Sequence, residues 1–157
     1  MALLRLMLLS LAACGQAGAQ PSATSGLTAP VGWNAIPEIA TAAATAAKGD
    51  GVTVDGAEAW GDPARGCYGV WLALHGDGAS AEQVLAGLAT EPLTTTNVVK
   101  PESGDGLVAM SFTRGVYRGR LRARIAAGKI TALACFANER EPIPCEGACT
   151  TLLGGLP

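Results

Sequence analysis

Four cysteines, Cys67, Cys135, Cys145 and Cys149, are the strongest constraint on how the C-terminal part of this chain can fold. If they are oxidised, they form up to two disulfides in one of three connectivities. Cys145 and Cys149 are four residues apart and share one helix face if their segment is helical. They could bond to each other, or each could tie the C-terminal segment to the strands that carry Cys67 and Cys135. We expect the second arrangement for at least one of them, because closing a long loop restricts the unfolded chain more.

The N-terminal residues 1–13 (MALLRLMLLSLAA) predict export, which is the condition under which such disulfides persist. Arg5 precedes an apolar run, residues 6–13, that is shorter than the ~18 to 20 residues needed to span a bilayer as a helix. The segment therefore has the form of a signal peptide and not of a membrane-spanning helix.

The residues that follow resemble the lipobox of bacterial lipoproteins. The matching run is Leu11, Ala12, Ala13, Cys14 and Gly15. The resemblance implies that residues 1–13 are removed, that Cys14 is the lipid attachment site and carries fatty acyl chains such as palmitate, and that the protein is anchored in a membrane of the cell envelope, facing the periplasm or the outer surface. The A-x-A pattern of residues 17–19 leaves an alternative, in which cleavage after Ala19 releases a soluble secreted or periplasmic domain.

The chain divides into three parts. After the signal peptide, residues 14–32 comprise the lipidated Cys and a tether rich in Gly, Ala, Ser, Thr and Pro, which predicts a flexible spacer. Residues 33–157 are of the length of one globular domain.

Hydrophobic periodicity predicts the elements of this domain. Helices are expected at residues 36–48, 80–90 and 144–153, and strands at residues 52–60, 66–75, 93–99, 107–113, 116–126 and 129–137. The strand at 66–75 is apolar on both faces and is a candidate central strand, and Ala127-Gly128 predicts a hairpin. This order predicts an α+β fold, a single two- or three-layer sandwich with a mostly antiparallel sheet packed against helices.

A second resemblance concerns the C-terminal half. The run Val116-Tyr117-Arg118-Gly119 ends one strand pattern, and a hairpin at residues 129–136 and a closing helix follow it. This succession is similar to the PsbP-like fold of the photosystem II extrinsic subunit, which bacterial lipoproteins also use. The resemblance implies an architecture and transfers no functional residues.

The most informative internal feature is the run YRGRLRARI at residues 117–125. In a strand, alternate side chains face opposite sides, at intervals of about 6.7 Å on each side. One face then carries four arginines, Arg118, Arg120, Arg122 and Arg124, which we call the arginine row. The row predicts either a solvated face whose guanidinium groups meet carboxylates, with Asp55 and Glu58 as candidates, or a site that binds an anionic ligand.

The other residues that could act in catalysis or bind a metal are expected to have structural roles. His75 is the one histidine, and no nucleophile motif accompanies it. The four cysteines lack the C-x₂-C spacing of a zinc site. Three Gly-Asp-Gly turns, at residues 49–51, 76–78 and 104–106, each offer a single carboxylate, which is too few for a calcium site. Trp33, Trp60 and Trp71 are expected to be core residues. We expect no metal and no cofactor.

These observations predict a lipid-anchored envelope protein that acts as a noncatalytic binding or interaction module. Its expected partners are the membrane, through the anchor, and an anionic ligand or acidic protein. Nucleic acid is excluded, because export removes access to it and no aromatic residues interleave with the arginines. An envelope enzyme that uses His75 with Asp77 is the alternative from a different class.

Overall fold

The structure, a computed structural model, describes residues 23–49, 52–76, 93–102, 104–138 and 143–156. The elements in these ranges are β1 (Asn34–Ala35), α1 (Pro37–Gly49), β2 (Thr53–Asp62), β3 (Cys67–His75), β4 (Thr94–Val99), β5 (Gly106–Arg114), β6 (Tyr117–Ala126), β7 (Lys129–Asn138) and α2 (Ile143–Gly154). The six predicted strands and two of the three predicted helices overlap these elements. The predicted helix at 80–90 lies outside the described residues.

The strands form one antiparallel sheet in the order β1-β2-β3-β7-β6-β5-β4. Two meanders, β1 to β3 and β4 to β7, meet where β3 pairs with β7. This pairing runs from Cys67 opposite Ala137 to His75 opposite Lys129. The predicted central position of β3 is therefore confirmed.

The predicted fold class, an α+β sandwich of two or three layers, is wrong. The described residues form a predominantly β fold, in which one seven-stranded sheet is accompanied by two short helices. Seven strands at a spacing of about 4.8 Å make a sheet about 29 Å wide. One helix is about 10 Å wide, so a single helix on a face covers two or three strands and does not form a complete layer.

Helix α1 packs on the first face of the sheet, against β2 and β3. Pro37 occupies its first position, where a missing N–H costs nothing, and Gly49 ends it. Its buried residues follow the helical repeat and are all alanines: Ala40, Ala43, Ala44 and Ala47. Because these side chains are short, the helix can lie close to Val54, Val70 and Leu72 of the sheet.

Helix α2 packs on the second face, on β7 and its neighbours β3 and β6. Two disulfides, Cys67–Cys145 and Cys135–Cys149, join it to the sheet. The expectation that the C-terminal segment is tied to Cys67 or Cys135 is therefore confirmed for both bonds. The apolar contacts beneath the helix include Leu133 and Leu152, with Trp60 and Trp71 buried beside them as core residues.

The part of the predicted tether that the structure describes, residues 23–32, contacts the second face beside α2. The Ala23 N–H donates to the Asp55 carbonyl at 2.9 Å, and the Ser25 N–H donates to Glu58 Oε1 at 2.9 Å. Leu27 packs into the cluster that contains Trp71. The chain therefore makes sheet contacts ahead of Trp33, and it approaches the sheet along β2.

The β6–β7 hairpin fixes which face each β6 residue occupies. Ala127 and Gly128 both have positive φ, 49° and 75°, as a two-residue type I′ turn requires. The Ala127 N–H also donates to Asp105 Oδ2 at 2.8 Å. Leu121 and Ile125 are buried on the first face, so the arginine row lies on the second face with α2.

Because alternate β6 side chains lie on opposite faces, substitutions within β6 should lower the free energy of unfolding by unequal amounts. Leu121→Ala should lower the free energy of unfolding by about 2–5 kcal/mol, because it removes a buried side chain. Arg124→Ser, at an exposed position of the same strand, should lower it by no more than about 0.5 kcal/mol. Urea denaturation of both variants measures the contrast, and equal losses would contradict the assignment of faces.

Candidate functional site

The arginine row lies alongside α2, and its two central members hold that helix. Arg120 Nη2 lies 2.8 Å from Glu146 Oε1 and donates to Thr150 Oγ1 at 3.0 Å. Arg122 Nη1 donates to the Leu153 carbonyl at 3.4 Å. A cation at the last turn of a helix complements the partial negative charge of the carbonyl groups there. The row is therefore partly a structural support for α2.

The carboxylates expected to meet the row, Asp55 and Glu58, contact other groups. Asp55 Oδ2 lies 2.7 Å from His75 Nδ1, and Glu58 accepts hydrogen bonds from the Ser25 backbone and side chain. The reason is the strand order, because β3 and β7 separate β2 from β6. At about 4.8 Å per strand this separation is about 14 Å, too far for an ion pair. Within the described part of the chain, Glu146 of α2 is a carboxylate that meets the row, at Arg120, and the sequence pattern did not indicate it.

A groove of about 370 Å³ opens beside α2, over β4, β5, β6 and the end of β7. Its floor consists of two cross-strand rows in which a hydroxyl of β4, a hydroxyl of β5 and an arginine of β6 lie side by side. The rows are Thr94–Thr113–Arg118 and Thr96–Ser111–Arg120. Because paired residues of adjacent strands face the same side, these six side chains share the groove.

The wall of the groove is the N-terminal half of α2. Glu146 lines it from the helix, together with Cys145 and Cys149, whose disulfides hold the helix in place. The positive end of the helix dipole lies in this first turn, so the wall adds to the positive field of Arg118 and Arg120. Among the described residues that line the groove, Glu146 is the acidic one, and it opposes this field.

Beneath the groove, on the first face, four aromatic rings pack together: Tyr68, Phe112, Tyr117 and Phe136. Gly119 makes this packing possible, because a Cβ there would lie 2.6 Å from Phe112 Cζ. Burial, and secondarily the charge of Tyr117, raise the pKa of Tyr68 above its usual value of 10.0. The cluster therefore supports the strands of the groove.

His75 lies at the far end of β3, away from the groove lining. Its contact is with Asp55, and the proposed partner Asp77 lies outside the described residues. Cys67 is in a disulfide and is no nucleophile. In the described ranges, no three His, Cys, Asp or Glu side chains come together as a metal site would require.

The lipid attachment candidate Cys14 and the alternative cleavage site after Ala19 lie outside the described residues. Among the helices in the part of the chain that the structure describes, none has the length and apolar character to cross a membrane.

We expect the Arg120–Glu146 ion pair to contribute little to stability. Its side chains are 37% and 67% exposed, and two disulfides hold α2 independently of it. A double-mutant cycle with Arg120→Gln and Glu146→Gln should therefore give a coupling energy no larger than about 1 kcal/mol. Urea unfolding of the four proteins measures it, and a larger coupling would make the pair a structural element.

No protein-family model matches this sequence, and no curated protein matches it significantly. The resemblances to the lipobox and to the PsbP-like fold therefore stay predictions from the sequence. The groove and the arginine row are the basis for inferring what this chain does.

Proposed function

We propose that this protein is a lipid-anchored, noncatalytic binding module of the bacterial cell envelope, and that the groove binds an anionic group of its ligand. The observation that carries the proposal is the side-by-side arrangement of Arg118 and Arg120 with four hydroxyl groups in one open groove. Guanidinium groups bind carboxylates and phosphates through paired hydrogen bonds, and neighbouring hydroxyls can donate to the same oxygens.

Glu146 supports this proposal because its carboxylate already occupies the position that a ligand anion would take at Arg120. The side chain is 67% exposed, so it can turn away into solvent without leaving a buried charge. Helix α2 stays in place when this happens, since its disulfides and its contacts with Leu133 do not involve Glu146. The ligand anion therefore competes with an internal carboxylate.

The start of the described chain and the groove lie on the same face of the sheet, but toward opposite edges. The described chain begins at Ala23, which hydrogen-bonds to β2, whereas the groove lies over β4, β5, β6 and the end of β7. Two strand spacings, about 10 Å, separate β2 from β7, the nearest strand of the groove. Attachment through Cys14 at the β2 side therefore does not require the anchor to cover the groove.

Anion binding tests the groove directly. Citrate and inorganic phosphate, titrated at low ionic strength and followed by NMR of the arginine Nε–H groups, should shift the signals of Arg118 and Arg120. Glu146→Gln should tighten binding by about two- to fivefold, the factor that corresponds to an exposed ion pair. The double variant Arg118→Gln/Arg120→Gln should abolish the binding, and added salt should weaken it.

Arg124→Gln is the matched control, because it removes the same charge from the same strand outside the groove lining. It should leave the affinity within the change expected from net charge alone. If it weakens binding as much as the double variant does, attraction is a property of the whole surface and the proposed groove is wrong. The absence of any shift at low ionic strength would also reject the proposal.

The anchor has its own test. Intact-mass analysis of the mature protein should find acyl chains on Cys14, and Cys14→Ser should move the protein from the membrane fraction to the soluble fraction. Lipobox lipoproteins carry two or three acyl chains, which is enough for stable partition into a bilayer. A mature chain that begins at Gln20, or a Cys14→Ser variant that stays with the membrane, would instead contradict lipid anchoring.

A further inference from the structure

The two disulfides connect cysteines that are not consecutive in the chain. In sequence order, the first cysteine of the domain bonds to the third and the second bonds to the fourth: Cys67–Cys145 and Cys135–Cys149. Sheet residues supply one partner of each bond, and α2 supplies the other. Native pairing therefore requires all four cysteines to be present and α2 to have docked on β3 and β7.

A second pairing, Cys67–Cys135 with Cys145–Cys149, joins cysteines that are consecutive in the chain and competes with the native pairing. Cys67 lies opposite Ala137, so Cys135 is its diagonal neighbour on the same face of the sheet. Diagonal neighbours are about 7–8 Å apart between Cα atoms, at the limit for a disulfide in the finished sheet but easily reached in a loosely paired one. Cys145 and Cys149 are separated by one helical turn and close a short loop, which loop-closure entropy favours.

If the chain is exported as proposed, the consecutive isomer is the first to form. A chain that crosses the membrane with its N-terminus ahead presents Cys67 and Cys135 to the oxidising compartment before Cys145 and Cys149. Once the bonds Cys67–Cys135 and Cys145–Cys149 exist, the domain has no thiol left, because Cys14 is lipidated in the proposed mature form. The domain cannot then rearrange by itself.

We infer that this protein is a substrate of a thiol–disulfide isomerase in the compartment to which it is exported. The isomerase thiolate attacks Sγ of Cys67, forms a mixed disulfide and releases Cys135 as a thiolate. Cys135 attacks Cys149, which forms one native bond and releases Cys145. Cys145 attacks Cys67, which forms the second native bond and returns the isomerase thiolate. The cycle consumes neither oxidant nor reductant.

Burial explains why the exchange ends at the native pairing. All four cysteines are buried once α2 is docked: Cys67, Cys135, Cys145 and Cys149. An external thiolate cannot reach these bonds. In the consecutive isomer no disulfide joins α2 to the sheet, so the helix can separate and expose Leu133 and Leu152, which are buried in the docked form. Undocking therefore gives the isomerase access to the wrong bonds.

The test follows disulfide pairing and does not depend on anion binding. The mature chain with Cys14→Ser is reduced, diluted from urea into native buffer with a thiol-free oxidant, and mapped by mass spectrometry after non-reducing proteolysis. One isomer in three is native, so without isomerase we expect a native fraction of about one third or less. Catalytic isomerase should raise this fraction about threefold, to nearly all molecules.

Two matched variants provide the control, because each retains one native pair and no competing partner. In Cys67→Ala/Cys145→Ala and in Cys135→Ala/Cys149→Ala, the remaining bond should form equally with and without isomerase. If the chain with all four cysteines reaches the native pairing as completely without isomerase as with it, the inference is wrong. Mapping reports bonds and not folding, so it remains decisive even if a variant is unstable.

Discussion

The antiparallel pairing of β3 with β7 is the interaction on which the rest of this structure depends. Each of the two meanders can form from hairpins between neighbours in sequence, but β3 and β7 are distant in the chain and must find each other. Their apolar side chains are buried on both faces, with Leu72 and Leu133 fully inaccessible. Helix α2 covers one face of this pair, and α1 covers the other face of β3 together with β2.

The same pairing decides where the chemistry of the chain is located. It places Cys67 and Cys135 on one face, and α2 docks over them through two disulfides. Since β6 is the next strand after β7, the arginine row lies beside α2. Arg122 then meets the C-terminal end of the helix, while Arg120 meets Glu146 near its beginning. The groove is the space left between this helix and the strands that it does not cover.

The arginine row therefore has two roles that its even spacing does not reveal. Arg120 and Arg122 form contacts with α2, whereas Arg118 and Arg120 line an open groove with four hydroxyl groups. Glu146 ties Arg120 to the helix, and in the proposed function it competes with an anion that enters the groove. The proposed attraction is adjustable without loss of the fold, since the disulfides and apolar contacts carry the docking of α2.

Local sequence patterns were sufficient for the described elements other than β1. Alternation predicted the faces of β6, Ala127 and Gly128 predicted its hairpin, and Pro37 with a following alanine repeat predicted α1. These signals act within a few residues, where backbone sterics and side-chain direction are set by neighbours in the chain. The fold class was not predictable in this way, because periodicity identifies helices and strands without saying how much of the sheet the helices cover.

What the sequence by itself determined is the set of strands, the face that carries the arginines and the cysteines available for bonding. Only the tertiary structure decided the strand order, and with it the choice of Glu146 over Asp55 and Glu58 as the carboxylate that meets Arg120. It also decided between the disulfide connectivities that the spacing left open. The physical reason is that these contacts join residues far apart in the chain, and their energies depend on which strands become neighbours.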